Sequence, residues 1–137
     1  MSKNLALEKV GRAKVAYELQ LKGWLVGEAF DDGFDLLAVK NEKIVCKIEL
    51  KTMDIRNRGE KSNLTAPISK KEKETCTHII VYLEPDGLFF IAKKEKIITN
   101  MNNIFAALNK KTRKIRVPKN NSFSFAKYEN AWEELEN

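Results

Sequence analysis

Asp35, Glu49 and Lys51 are the residues whose types and spacing could carry out a reaction. Asp35 opens an otherwise apolar run from Phe34 to Val39, and Glu49 and Lys51 stand two apart within Lys43 to Thr52. In a strand that spacing puts both on one face. Two carboxylates and an ammonium in a small sheet are costly unless they satisfy one another or bind a cation. Carboxylates converging from adjacent strands supply hard oxygens for Mg²⁺, which takes one or two of them together with water and substrate phosphate oxygens. The carbonyl of the intervening Leu50 adds a further oxygen. Lys51 then serves to orient or deprotonate an attacking water, or to stabilise charge developing on phosphorus. Spacing alone leaves a second reading open, a cross-strand carboxylate–lysine pair on a solvated face, worth under about 1 kcal/mol.

The elements that must position these residues follow from periodicity. Residues 4–22 hold a single glycine, Gly11, and no proline, and predict a helix. One row, Ala6, Val10, Ala13, Tyr17 and Leu21, recurs at helical steps; a second, Leu5, Glu8, Arg12, Val15 and Leu19, follows the same period on another side. Gly23 ends the helix, with Ser2 or Asn4 at its start. Strands are expected at 24–27, 34–39 and 43–52, the first two separated by a turn at Asp31-Asp32-Gly33 and the last two joined as a hairpin through Asn41-Glu42. On the third strand Val45, Lys47, Glu49 and Lys51 face one way and Cys46, Ile48 and Leu50 the other. A polar loop over 53–65 is followed by a short helix through Glu74, capped by Ser69. Buried strands are expected at 77–83 and 88–92, a helix near 102–109, a strand at 114–117 and a last helix near 127–135.

The chain has 137 residues, 25 Lys+Arg against 19 Asp+Glu, and a formal net charge of +6, a size and balance that predict one domain over 1–137. Its core is expected over about 4–92, with a C-terminal extension over about 93–137. No apolar run approaches the ~20 residues that cross a bilayer, and the start has no signal-peptide pattern, so a cytoplasmic protein without membrane contact is expected. Cys46 and Cys76 read as reduced core thiols, and His78 as a satisfied strand histidine. Trp24 and Trp132 read as core or interface aromatics. The basic residues cluster at 56–61, 70–73, 93–96 and 110–116, the footprint of a surface that meets polyanions. There is no nucleophile elbow, phosphate loop or redox cysteine pair.

The run Gly33-Phe34-Asp35-Leu36-Leu37-Ala38-Val39, followed by Glu49-Leu50-Lys51-Thr52 and preceded by Gly23-Trp24 at the end of a helix, resembles the PD-(D/E)XK nuclease superfamily. It is similar in particular to small archaeal Holliday junction resolvases and to intron-encoded endonucleases of that fold. The resemblance covers roughly residues 8–92. It implies an α/β, restriction-endonuclease-like αβββαβ core with a mixed central sheet flanked by helices. It also implies Asp35 and Glu49 as metal ligands, Lys51 as the catalytic lysine, Mg²⁺ (with Mn²⁺ able to substitute) as cofactor, and DNA, duplex or branched, as partner of a homodimer. Phe34 replaces the family's proline. The first-helix glutamate often found about eleven residues before the glycine is Arg12 here, so Glu8, one turn earlier on the same face, becomes the substitute, with Glu18 on another face as the alternative. Arg12, Arg56, Arg58, Lys61, Lys70 and Lys71 are then candidates for phosphate contact. A non-catalytic nucleic-acid-binding or inhibitor module on the same fold is the competing expectation.

Overall fold

The structure, a computed structural model, describes residues 3–29, 33–54, 61–97, 103–109, 114–116 and 128–136. The first helix, α1 (Lys3–Leu21), stops where the sequence says it should. Gly23 takes φ 91°, the Gly23 N–H donates to the Gln20 carbonyl at 3.1 Å and the Trp24 N–H to the Leu19 carbonyl at 3.0 Å. These are the two bonds of a Schellman cap, and they turn the chain back so that Trp24 and Leu19 enter one apolar cluster.

A mixed sheet follows: β1 (Leu25–Glu28), β2 (Leu36–Lys40), β3 (Ile44–Asp54), β5 (His78–Glu84) and β6 (Leu88–Lys93), side by side in that order. All neighbours are antiparallel except β3 and β5, which run parallel. Asn41 and Glu42 close the β2–β3 hairpin with φ of 55° and 60°. Positive φ at both central residues is what a type I′ turn needs, and its twist matches that of the strands. Between β3 and β5 lie β4 (Lys61–Pro67) and α2 (Lys70–Thr75). The expected mixed sheet flanked by helices is therefore found, with a strand inserted in the αβββαβ order.

One sheet face packs on α1 through Val15, Leu19, Leu36, Ala38, Cys46, Ile48 and Ile80. The other carries Ile68, Cys76, Ile79, Val81 and Phe90. Cys46 and Cys76 are buried free thiols, as expected, and burial pushes each up to about 11. Tyr128 to Glu136 covers the outer edge of β6: the Asn130 N–H donates to the Phe89 carbonyl at 2.8 Å, Tyr128 lies on one face and Leu135 on the other.

Several expectations need correction. The row Ala6, Val10, Ala13, Tyr17 and Leu21 is exposed, and the buried line of α1 is Gly11, Val15 and Leu19. Gly11 decides the rotation, because a Cβ there would overlap the Thr52 side chain of β3; the helix lies against the strand only through a residue without one. The span 53–65, read as loop, holds the end of β3 and the start of β4. Asn103–Asn109, read as helix, is strand β7, paired along its whole length with β4 and then with β8 (Lys114–Arg116), which was expected. Ala106, Ala107 and Leu108 favour a helix, but an antiparallel partner outweighs local propensity. The last element is a 3₁₀ helix, Trp132–Glu136, and a short helix α3 (Lys94–Ile97) follows β6.

Candidate active site

The β2–β3 ladder ends at Leu36↔Ile48, closed by the Asp35 N–H donating to the Ile48 carbonyl at 2.8 Å. Beyond that pair, among the described residues, β3 keeps only its β5 partner, as far as Asp54↔Glu84. The strands fork there, and the fork exposes the edge of Leu50. Its N–H donates to Asp35 Oδ2 at 2.8 Å, so the carboxylate of Asp35 takes the place of the missing strand. In an extended strand a residue's N–H and C=O point to the same neighbour, so the Leu50 carbonyl faces the fork as well.

Glu49 and Lys51 share the other sheet face, as their spacing requires, but this part of the face is covered. Glu49 is only 5% exposed. Lys51 Nζ stands 3.2 Å from Glu49 Oε1 and 3.2 Å from Glu72 Oε2, a residue of α2. Burial first, then the hydrogen bond to Glu72 and the charge of Asp35, push the Glu49 carboxyl up to about 9. Burial also acts against the Glu72 carboxylate, yet the hydrogen bonds from Glu49 and Ser69 and the charge of Lys51 bring it down to about 2. The pair thus holds one proton between the two carboxyls. Burial opposes the charge on Lys51, but the two carboxylates outweigh it and raise its pKa.

Among the described residues no three His, Cys, Asp or Glu side chains gather as a metal cage. The fork offers the Asp35 carboxylate and the Leu50 carbonyl edge, with the Glu49 carboxyl close enough to feel the charge of Asp35, a donor set of the kind that suits Mg²⁺ when water and substrate fill the remaining positions. The elevated pKa of Glu49 is consistent with that fit. Burial and neighbouring negative charge penalise its anion, and a cation bound beside it would offset that penalty.

Glu72 was not singled out in the sequence. Its signal was Ser69-x-x-Glu72, a capping box, which identifies the helix start but not where the glutamate's second oxygen points. Glu8 is exposed and 3.8 Å from Arg12. Arg12 is half-buried and, with Lys9 and Glu28, lines a groove of about 380 Å³ between α1 and β1–β2. Lys70 and Lys71 are exposed on α2. Lys61 begins β4, while Arg56 and Arg58 lie outside the described residues, as does the expected turn at Asp31-Asp32. His78 is a satisfied core residue: its Nε2–H donates to the Glu134 carbonyl at 2.9 Å and its Nδ1 lies 2.8 Å from Thr77 Oγ1. Trp24 is buried, and Trp132 packs against Phe89 with ring centroids 5.3 Å apart and planes tilted by 51°, consistent with core aromatics.

The mixed sheet is the restriction-endonuclease-like fold expected from the sequence, and solved structures share it. The chain is similar to a bacterial homing endonuclease at TM-score 0.70 and 18% identity, covering 96% of this chain and 90% of that one. It is also similar to Hjc of Archaeoglobus fulgidus, a Holliday junction resolvase from an archaeal hyperthermophile, at TM-score 0.50 and 15% identity, over 82% of this chain and 88% of that one. No protein-family model matches the sequence, and no curated protein does. No helix among the described residues is long and apolar enough to cross a membrane.

Proposed function

We propose that the chain is a metal-dependent endodeoxyribonuclease that hydrolyses phosphodiester bonds at the β2–β3 fork. The observation that carries this is the convergence of Asp35, the Leu50 edge, Glu49 and Lys51 where the ladder ends. The likeness to a homing endonuclease and a Holliday junction resolvase supports DNA, duplex or branched, as substrate.

In this reading Asp35, Glu49 and the Leu50 carbonyl hold Mg²⁺, for which Mn²⁺ can substitute. The bound ion supplies Lewis-acid polarisation of the phosphate and neutralises its charge. Lys51 carries its ammonium beside Glu49, where it donates to a phosphate oxygen or orients the attacking water. Glu8 joins the carboxylate set by releasing Arg12, which then meets phosphate in the α1 groove alongside Lys9. Arg56, Arg58, Lys61, Lys70 and Lys71 extend the cationic surface, so affinity should fall steeply with salt. A homodimer is part of the proposal, because cutting two strands takes two sites; sedimentation velocity checks it.

The test is cleavage of supercoiled plasmid, linear duplex, four-way junction and RNA with Mg²⁺, Mn²⁺ or EDTA. At least one DNA should be cut only when the cation is present, and RNA spared. A second reading, a binding module that has lost catalysis, is favoured by Arg12 at the helix position where a glutamate is expected and by the closed Glu49–Lys51–Glu72 cluster. It requires that no DNA be cut and that Mn²⁺ titration give no heat dependent on Glu49.

A further inference from the structure

We propose that Glu72 is a positioning residue for catalysis: it holds the Lys51 ammonium from a second element, α2, which leaves Glu49 available to a metal. This rests on the nuclease reading of the fork. Two observations carry it. The first is that Glu72 is fixed before it meets Lys51. It is the third residue of α2, where its Oε1 accepts from the Ser69 N–H at 2.8 Å while its own N–H donates to Ser69 Oγ at 3.1 Å. The helix is anchored on both sides by buried Ile68 and Cys76, and its Thr75 packs against Gly33, two residues before Asp35. The capping box therefore presents Oε2 of Glu72 at one place, and Lys51 Nζ donates to it at 3.2 Å.

The second observation is that Lys51 is divided equally between two carboxylates from different elements, at 3.2 Å each. A lysine stem is flexible, and a single partner does not fix its tip. With Glu49 as sole partner, Lys51 would neutralise the very carboxylate that the cation needs. With Glu72 as second partner, Lys51 keeps a tether when Glu49 turns to the metal, and its ammonium stays within the site. The strand supplies the lysine and one carboxylate, and the helix supplies the constraint.

Glutamine at the third helical position also satisfies a capping box, so Glu72→Gln retains the helix start and removes the negative charge that faces Lys51 and Glu49. Ser69→Ala does the reverse. Glu72→Gln should lower kcat by about tenfold to a hundredfold, the scale of a misplaced catalytic group, with KM and melting temperature close to wild type. Ser69→Ala, which loses the Oγ acceptor but leaves the Ser69 N–H on Glu72 Oε1, should lower the melting temperature and keep most of kcat. Glu72→Asp, which keeps the charge on a shorter stem, should recover part of the loss. Glu72→Gln should retain calorimetric Mn²⁺ binding, whereas Glu49→Ala should abolish it. Wild-type kcat in Glu72→Gln and Glu72→Asp, with Lys51→Ala inactive, overturns the inference and leaves the nuclease reading standing. Loss of Mn²⁺ binding in Glu72→Gln overturns it too, since Glu72 would then be a ligand. If Lys51→Ala cleaves as wild type, the nuclease reading itself fails.

Discussion

Glu49→Gln, studied in EDTA, isolates the proton stored at the fork. Burial, Glu72 and Asp35 push Glu49 up to about 9, while Glu72 is held down to about 2. In the unfolded chain both carboxyls return to about 4.3. At neutral pH the folded pair thus binds one proton more than the unfolded chain, and the two values belong to the pair rather than to either residue. A folded-state pKa above the unfolded one gives stability that is present below the unfolded value and lost as pH rises through the folded value. The window therefore runs from about pH 4.3 to about pH 9. One proton corresponds to about 1.4 kcal/mol per pH unit, so the ceiling between about pH 5.5 and about pH 8.5 is roughly 4 kcal/mol. The glutamine amide still donates to Glu72 and does not titrate, so the variant lacks this slope. Urea unfolding followed by fluorescence of Trp24, which is 3% exposed, measures it. The variant should gain on wild type by about 2 to 4 kcal/mol across that interval. Parallel pH dependences in the two proteins would refute the shared proton.

Gly11→Ala should cost about 1 to 3 kcal/mol by forcing α1 away from Thr52, with part of the loss recovered in the double variant with Thr52→Ala, as read by thermal melting. Glu42→Gly should raise stability by about 0.5 to 1 kcal/mol, because Glu42 sits at φ 60° where glycine meets no Cβ penalty, and urea midpoints check it. Burial lowers the pKa of His78, so below about pH 6.5 the unfolded chain takes up a proton that the folded chain refuses. Stability should fall as pH drops from that value toward the depressed one, and His78→Gln should lack this component in the same titration.

Asp35, Glu49 and Lys51 were legible because a strand's period of two is short and β3 keeps it over eleven residues. The Gly23 stop was legible because a left-handed cap has few alternatives. The inward face of α1 was not, since two rows of the same period compete and the deciding contact is Gly11 against Thr52, a residue of a distant strand. The same holds for β7, whose Ala-Ala-Leu centre becomes strand only beside β4. Glu72 stayed hidden for a related reason. Its capping box is local and visible, whereas its second oxygen meets Lys51 across 21 positions of sequence.

The most direct measurement is Mg²⁺-dependent conversion of supercoiled plasmid or four-way junction by wild type and by Asp35→Ala, Glu49→Ala and Lys51→Ala, each confirmed folded by circular dichroism. The wild type should cleave one of these substrates with Mg²⁺ and not with EDTA, and every alanine variant should be inactive. Cleavage that persists in all three variants, or a wild type that cuts neither DNA with either cation, would contradict the assignment of the fork as a catalytic centre.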